Sequence, residues 1–184
     1  MARGDVGDPA AADLSPVIGP GSDDLLTSIT TIVHWADSTP VRRHAMAAVD
    51  FPYDDMGMFL VVNQLSYNGA MRPAELVQVL GATATNMSKI VGRLVDAGLV
   101  VRVAAPDDDR GVLVALTEQG REIGGRIIAR AESALGAALS EWSAEEVRVL
   151  SRMLARFAQE TTADPLGRWM HSGHREREEA PWSP

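Results

Sequence analysis

Residues 72–120 read RPAELVQVLGATATNMSKIVGRLVDAGLVVRVAAPDDDRGVLVALTEQG, and this stretch decides the fold. Pro73 suits the first position of a helix and Glu75 the third, with Leu76, Val77 and Leu80 as the apolar face and Gly81 as the stop. Thr83 stands as the cap of a second helix whose inward face is Met87, Ile90, Val91 and Leu94, ended by Gly98. Helix, glycine turn, helix is the helix-turn-helix layout. Leu99–Ala104 then reads as a strand with Leu99, Val101 and Val103 on one face. Pro106–Gly111 is a polar turn, and Val112–Leu116 is a returning strand in which Val112, Val114 and Leu116 alternate. The hairpin stands where a wing would follow the second helix.

On the C-terminal side, Thr117 caps a long helix running to about Ser140, with Ile123, Ile127, Ile128, Ala131, Leu135 and Leu139 in line. Ser143-Ala-Glu-Glu146 is a capping box that opens a last helix striped by Val147, Leu150, Leu154 and Phe157. On the N-terminal side, residues 55–67 are rich in apolar side chains and predict a buried helix closed by Gly69. Upstream, Leu25, Leu26, Ile29, Ile32, Val33 and Ala36 recur at helical spacing. Thr39-Pro40 reads as an N-cap with proline behind it, which either starts a second helix or kinks one long one. The fold class expected is mainly α with a small β-hairpin wing (α+β), a winged helix-turn-helix. Its reader spans about 69–117, and flanking helices cover about 23–50 and 118–161 of a domain at 23–162. Residues 1–22 read as a disordered arm and 163–184 as a loose tail.

Composition narrows the function. The 184 residues include no cysteine, which excludes a thiolate metal site, a cysteine nucleophile and a thiol redox sensor. No run of apolar residues approaches a membrane span, and the N-terminus has no apolar core of a secretory signal, so a cytoplasmic protein with no membrane partner is expected. No phosphate-binding, dinucleotide, zinc-protease or nucleophile-elbow motif is present, and no cluster of nucleophile, base and orienting residue stands out. The reading is therefore not an enzyme, and no cofactor is called for. His171 and His174 have a possible metal-ligand spacing but no third ligand nearby, so no metal is assigned. The net charge of −8 argues at first against a nucleic-acid binder. Its distribution matters more: residues 1–62 carry 3 basic and 9 acidic groups, whereas residues 63–117 carry 5 of each.

Residues 59–120 resemble the MarR-type (multiple antibiotic resistance regulator) winged helix-turn-helix family. The resemblance rests on the Arg72-Pro-Ala-Glu-Leu start, Leu80-Gly81, the run Thr83–Arg102, and the wing Asp108-Asp-Arg110 followed by Leu116-Thr117 and Gly120. It implies a homodimeric, sequence-specific transcriptional regulator on double-stranded DNA with a pseudo-palindromic operator, a repressor released by a small aromatic or phenolic effector. It also implies that Arg110 reaches the minor groove and that Asp108 accepts from it and orients it. Pro40 inside the first helix, Arg72 in place of a small hydroxyl cap, and the acidic wing tip at Asp107 and Asp109 depart from the family's pattern.

The residues themselves suit that task. A major-groove helix needs short polar side chains near its start with cations beside them. Thr83, Thr85, Asn86, Ser88, Lys89 and Arg93 meet that need, and Arg72 is placed for a phosphate. The stripes on residues 25–36 and 147–157 fall outside the reader and would pair across a dimer axis. His34, Trp35, Arg42, His44, Tyr53 and Met58 lie in segments that would line an effector pocket. The alternative function is a winged-helix module for protein interaction without DNA readout, which the near-neutral reader leaves open.

Overall fold

The computed structural model describes residues 24–106 and 108–162, without the side chains of 108–110. The expected arm at 1–22 and tail at 163–184, with His171 and His174, lie outside the described residues. Helix α1 (Leu25–Asp37) is capped by Asp24, whose carboxylate accepts from the Thr27 N–H. Helix α2 (Thr39–Ala48) follows after one residue. The two possibilities at Thr39-Pro40 resolve to two helices, but the cap is Ser38, with Thr39 already helical. Proline is accommodated because the first turn of a helix has no partner for its N–H groups.

Helix α3 (Met56–Asn68) is the centre of the core: Met58, Phe59, Val61, Val62 and Leu65 are buried. The reader is built on it from α4 (Pro73–Leu80) and α5 (Ala84–Asp96). Glu75 accepts from the Arg72 N–H at 2.6 Å, closing the start of α4, and Gly81 takes φ 59°, which glycine adopts without steric cost. Thr83 accepts from the Asn86 N–H at 3.2 Å, and Met87, Ile90, Val91 and Leu94 are all buried, as their spacing predicts.

The wing is strand β1 (Val100–Ala105) paired antiparallel with β2 (Asp108–Leu116). Met71 exchanges two backbone hydrogen bonds with Val114, of 3.1 and 2.8 Å, tying the wing's base to the entry of α4. Three expectations for the wing need correction. The first strand begins one residue later, β2 begins at Asp108 rather than Val112, and the inward face is different. Leu99 and Val100 are buried, but Val101 and Val103 are 42% and 39% exposed, and Val112 is exposed while Val114 is buried. Alternation says which residues share a face; it does not say which part of that face has a neighbour. In β1 the two ends, Val100 and Ala105, are buried and the four residues between them are exposed.

Helix α6 (Glu118–Ala138) is capped by Thr117, whose hydroxyl accepts from the Gly120 N–H and donates to the Gly98 carbonyl at 2.6 Å. Its stripe divides: Ile123 and Ile127 are buried, whereas Leu135 is 60% exposed. Helix α7 (Ala144–Thr162) opens on the expected box, with Ser143 and Glu146 bonded to each other in both directions. Its Leu154 and Phe157 are exposed, and α1 buries no residue at all.

Candidate nucleic-acid interface

The reader's outer face is assembled by burial of its inner one. Four apolar side chains hold α5 against α3 and α4, so Thr85, Asn86, Ser88, Lys89 and Arg93 are left exposed along the opposite side, with Thr83 at its start. The exposed Thr83 hydroxyl accepts the Asn86 N–H and closes the N-terminus, and its proton is left to donate. Asn86 donates only its backbone N–H to that cap, which leaves its amide facing outward. Arg72, half-buried, precedes α4. Arg93 is not a free cation: its guanidinium lies 2.7 Å from the carboxylate of Asp55. Sequence reasoning missed Asp55, because the two residues are far apart in the chain and Asp55 stands only as the first residue of the apolar-rich segment 55–67. Asp108 and Arg110 stand on β2, and their side chains lie outside the described residues.

Two glycines set how closely these parts assemble. The Leu99 carbonyl occupies the space that a Cβ on Gly120 would need, so the start of α6 sits directly on the strand's entry. A Cβ on Gly57 would fall 2.9 Å from Ile90 Cδ1, so α3 lies tight against α5. Among the described residues no helix is long and apolar enough to cross a membrane.

A cavity of about 850 Å³ lies behind the reader, between α1, α2, α3, the end of α4 and α6. Of the six residues named for an effector, Trp35, Arg42 and His44 line it. His34 is exposed elsewhere on α1, Tyr53 packs edge-on to Phe51, and Met58 is in the core, so none of these three is on the lining. Asn63, Gln64, Tyr67 and Arg130 line it as well and were not anticipated. A signal was present: Asn63, Gln64 and Tyr67 are polar interruptions sharing one side of a helix that is otherwise apolar. Arg42 is ion-paired to Asp37.

Residues 59–111 match the sequence profile of the MarR family. Over this segment the chain is similar to the MarR family. The segment spans α3, α4, α5, β1 and the start of β2, the parts that carry the resemblance. An HTH-type transcriptional repressor of Mycobacterium tuberculosis is 28% identical over 102 residues, 55% of this chain and 73% of the relative. The structure of a MarR family protein from Bacillus stearothermophilus superposes with a TM-score of 0.59 at 23% identity, covering 74% of this chain and 95% of that one. A putative MarR family transcriptional regulator from Listeria monocytogenes, determined with a 26mer DNA, gives 0.57 at 20% identity, covering 84% of this chain and 98% of that one. At these identities the two structural likenesses establish the winged-helix fold. The matched segment ends inside the wing, and the flanking helices correspond to the fold of those neighbours.

Proposed function

We propose that the chain is a dimeric transcriptional regulator that binds double-stranded DNA through its MarR-like reader. The observation that carries this is the division of α5: one face is locked into the core, and the other presents short polar side chains with Lys89 beside them, directly followed by a hairpin. An α-helix with such a face fits a major groove about 12 Å wide, and base-edge contacts from Asn86, Ser88 and Lys89 supply sequence readout. Arg110 of the wing reaches the neighbouring minor groove, and Asp108 orients it. Arg72 contacts a phosphate.

A single reader of this size makes few contacts, and the remaining surface supports a second copy. Ile32 on α1, Leu135 on α6 and Leu154 on α7 are 63%, 60% and 54% exposed, together with Leu25, Leu26, Trp142, Met153 and Phe157. Exposed apolar surface concentrated on the flanking helices fits a dimer interface, and two-fold symmetry then calls for a pseudo-palindromic operator. The cavity behind the reader is in the size range of small-molecule sites, and Trp35, Tyr67, Arg42, His44 and Arg130 combine aromatic walls with cationic groups. That chemistry suits a small aromatic or phenolic effector, and release from an operator on binding it would make the protein a ligand-responsive repressor. The test is selection of bound genomic fragments by the purified protein, followed by a screen of aromatic compounds for release. Recovery of fragments sharing a two-fold motif supports the reading; recovery of random fragments contradicts it.

A further inference from the structure

Two cations stand on the outer face of α5, and they have different surroundings. Among the described residues Lys89 has no carboxylate within ion-pair distance, whereas Arg93 Nη2 lies 2.7 Å from Oδ2 of Asp55. Asp55 caps α3, and its other oxygen accepts from the Met58 N–H at 3.1 Å. Both oxygens of this carboxylate are committed, so it is a fixed point. The absence of a side chain at Gly57 lets α3 sit against Ile90 of α5, which keeps that fixed point within reach of the reader. Arg93 is the movable partner. Its side chain is 50% exposed against 26% for Asp55. An ion pair with this much solvent around it is weakly held and can be exchanged for another anion.

We propose that Asp55 competes with the duplex for Arg93: its carboxylate occupies the place on the guanidinium that a DNA phosphate would take. The proposal rests on the duplex-binding reading of α5. In the free protein the pair is neutral, so Arg93 adds little to the attraction of DNA. On binding, a phosphate takes the guanidinium, and Asp55 remains on α3 as a cap, now a bare negative charge near the backbone. Asp55 therefore holds affinity down, and the weight of the initial attraction on this face falls on Lys89.

Asp55→Asn tests this, because asparagine caps a helix as well as aspartate does and carries no charge. Affinity of the full chain for a random-sequence duplex is measured at about 50 and 200 mM salt for wild type, Asp55→Asn, Arg93→Ala and the double variant. Asp55→Asn is expected to bind several-fold more tightly. Its log affinity should fall with log salt more steeply, by at most about 0.9, the weight of one phosphate contact made without a carboxylate left bare, or at most about 3.5-fold more loss between the two salts. Arg93→Ala should cost little in the wild-type background and abolish the whole gain in the Asp55→Asn background. An equal gain from Asp55→Asn with and without Arg93 would make Asp55 a simple repelling charge and overturn the proposal. A loss of affinity in Asp55→Asn would make it a brace for Arg93 and overturn it equally. A wild-type protein with no salt-dependent duplex affinity would instead defeat the duplex-binding reading, and the proposal with it.

Discussion

The backbone carbonyl of Leu99 fills the space beside Gly120 where any other residue would place its Cβ. The Leu99 carbonyl is also the acceptor for the Thr117 N–H at 3.1 Å, and the Thr117 hydroxyl reaches back to Gly98. Thr117 and Gly120 thus form one joint between the entry of the wing and the start of α6. The Leu-Thr and Gly that close the wing signature are residues of this joint.

Gly120→Ala should destabilise the protein by about 1–3 kcal/mol, the usual cost of forcing a methyl into a packed site, because the obstructing atom is backbone and cannot rotate away. Thr117→Val should cost about 1 kcal/mol through the lost cap, and Thr117→Ser should restore most of it. Chemical denaturation of the three variants measures both. Wild-type stability in Gly120→Ala would mean that α6 is free to shift away from the strand.

Leu135→Glu and Leu154→Glu should yield a monomer of unchanged helix content. Both side chains are more than half exposed, so neither substitution disturbs packing within one chain. Sedimentation at several concentrations reads the outcome. A wild-type protein sedimenting as a monomer throughout would remove the dimer from the proposal.

Glu146 has its pKa lowered by the Ser143 hydroxyl and then by the Ser143 backbone N–H, both of which favour the charged carboxylate. A depressed folded-state value means that this contribution is present above the ordinary carboxylate value of 4.5 and is lost as pH falls through the lower, folded one. The start of α7 should therefore protect its amides less below pH 4.5 than above it. Glu146→Gln should be less protected at neutral pH and show a smaller change on acidification. Amide hydrogen exchange across residues 143–150 reads both.

How much of this was legible follows from what each signal depends on. The inward face of α5 and the caps Thr83, Thr117 and Ser143 depend on residues within one turn of each other, and spacing alone identifies them. The stripes on α1 and α7 were equally visible, but a stripe says only that a face is apolar; in the single chain Leu25, Leu26, Ile32, Val33, Leu154 and Phe157 stay exposed. Ser38 stands at the N-cap position expected of Thr39 by its backbone alone: its hydroxyl donates back to the Trp35 carbonyl and makes no cap bond, and proline is tolerated at either of the first helical places. The exposure of Val101 and Val103 and the pairing of Arg93 with Asp55 depend on what the folded chain brings alongside, which spacing does not encode.

Lys89→Ala should weaken duplex binding more than Arg93→Ala does, without loss of thermal stability, since Lys89 is exposed and Arg93 is already paired. If Lys89 contacts a phosphate, the salt slope falls by about 1; if it contacts a base, the loss is about 1–3 kcal/mol and one operator position relaxes. Mobility shifts at two salt concentrations separate these. Equal binding by Lys89→Ala and wild type would place the reader elsewhere.

The claim that α5 reads DNA sequence is tested most directly by comparing two affinities at one salt concentration. One is for the genomic fragment that the protein selects, the other for a duplex of the same length and composition with that sequence scrambled. A reader using base contacts should favour the selected fragment by about a thousandfold or more, and substitution of Asn86 and Ser88 by alanine should bring the ratio down. Equal affinity for the two duplexes would contradict the account, leaving only the attraction of cations for phosphate.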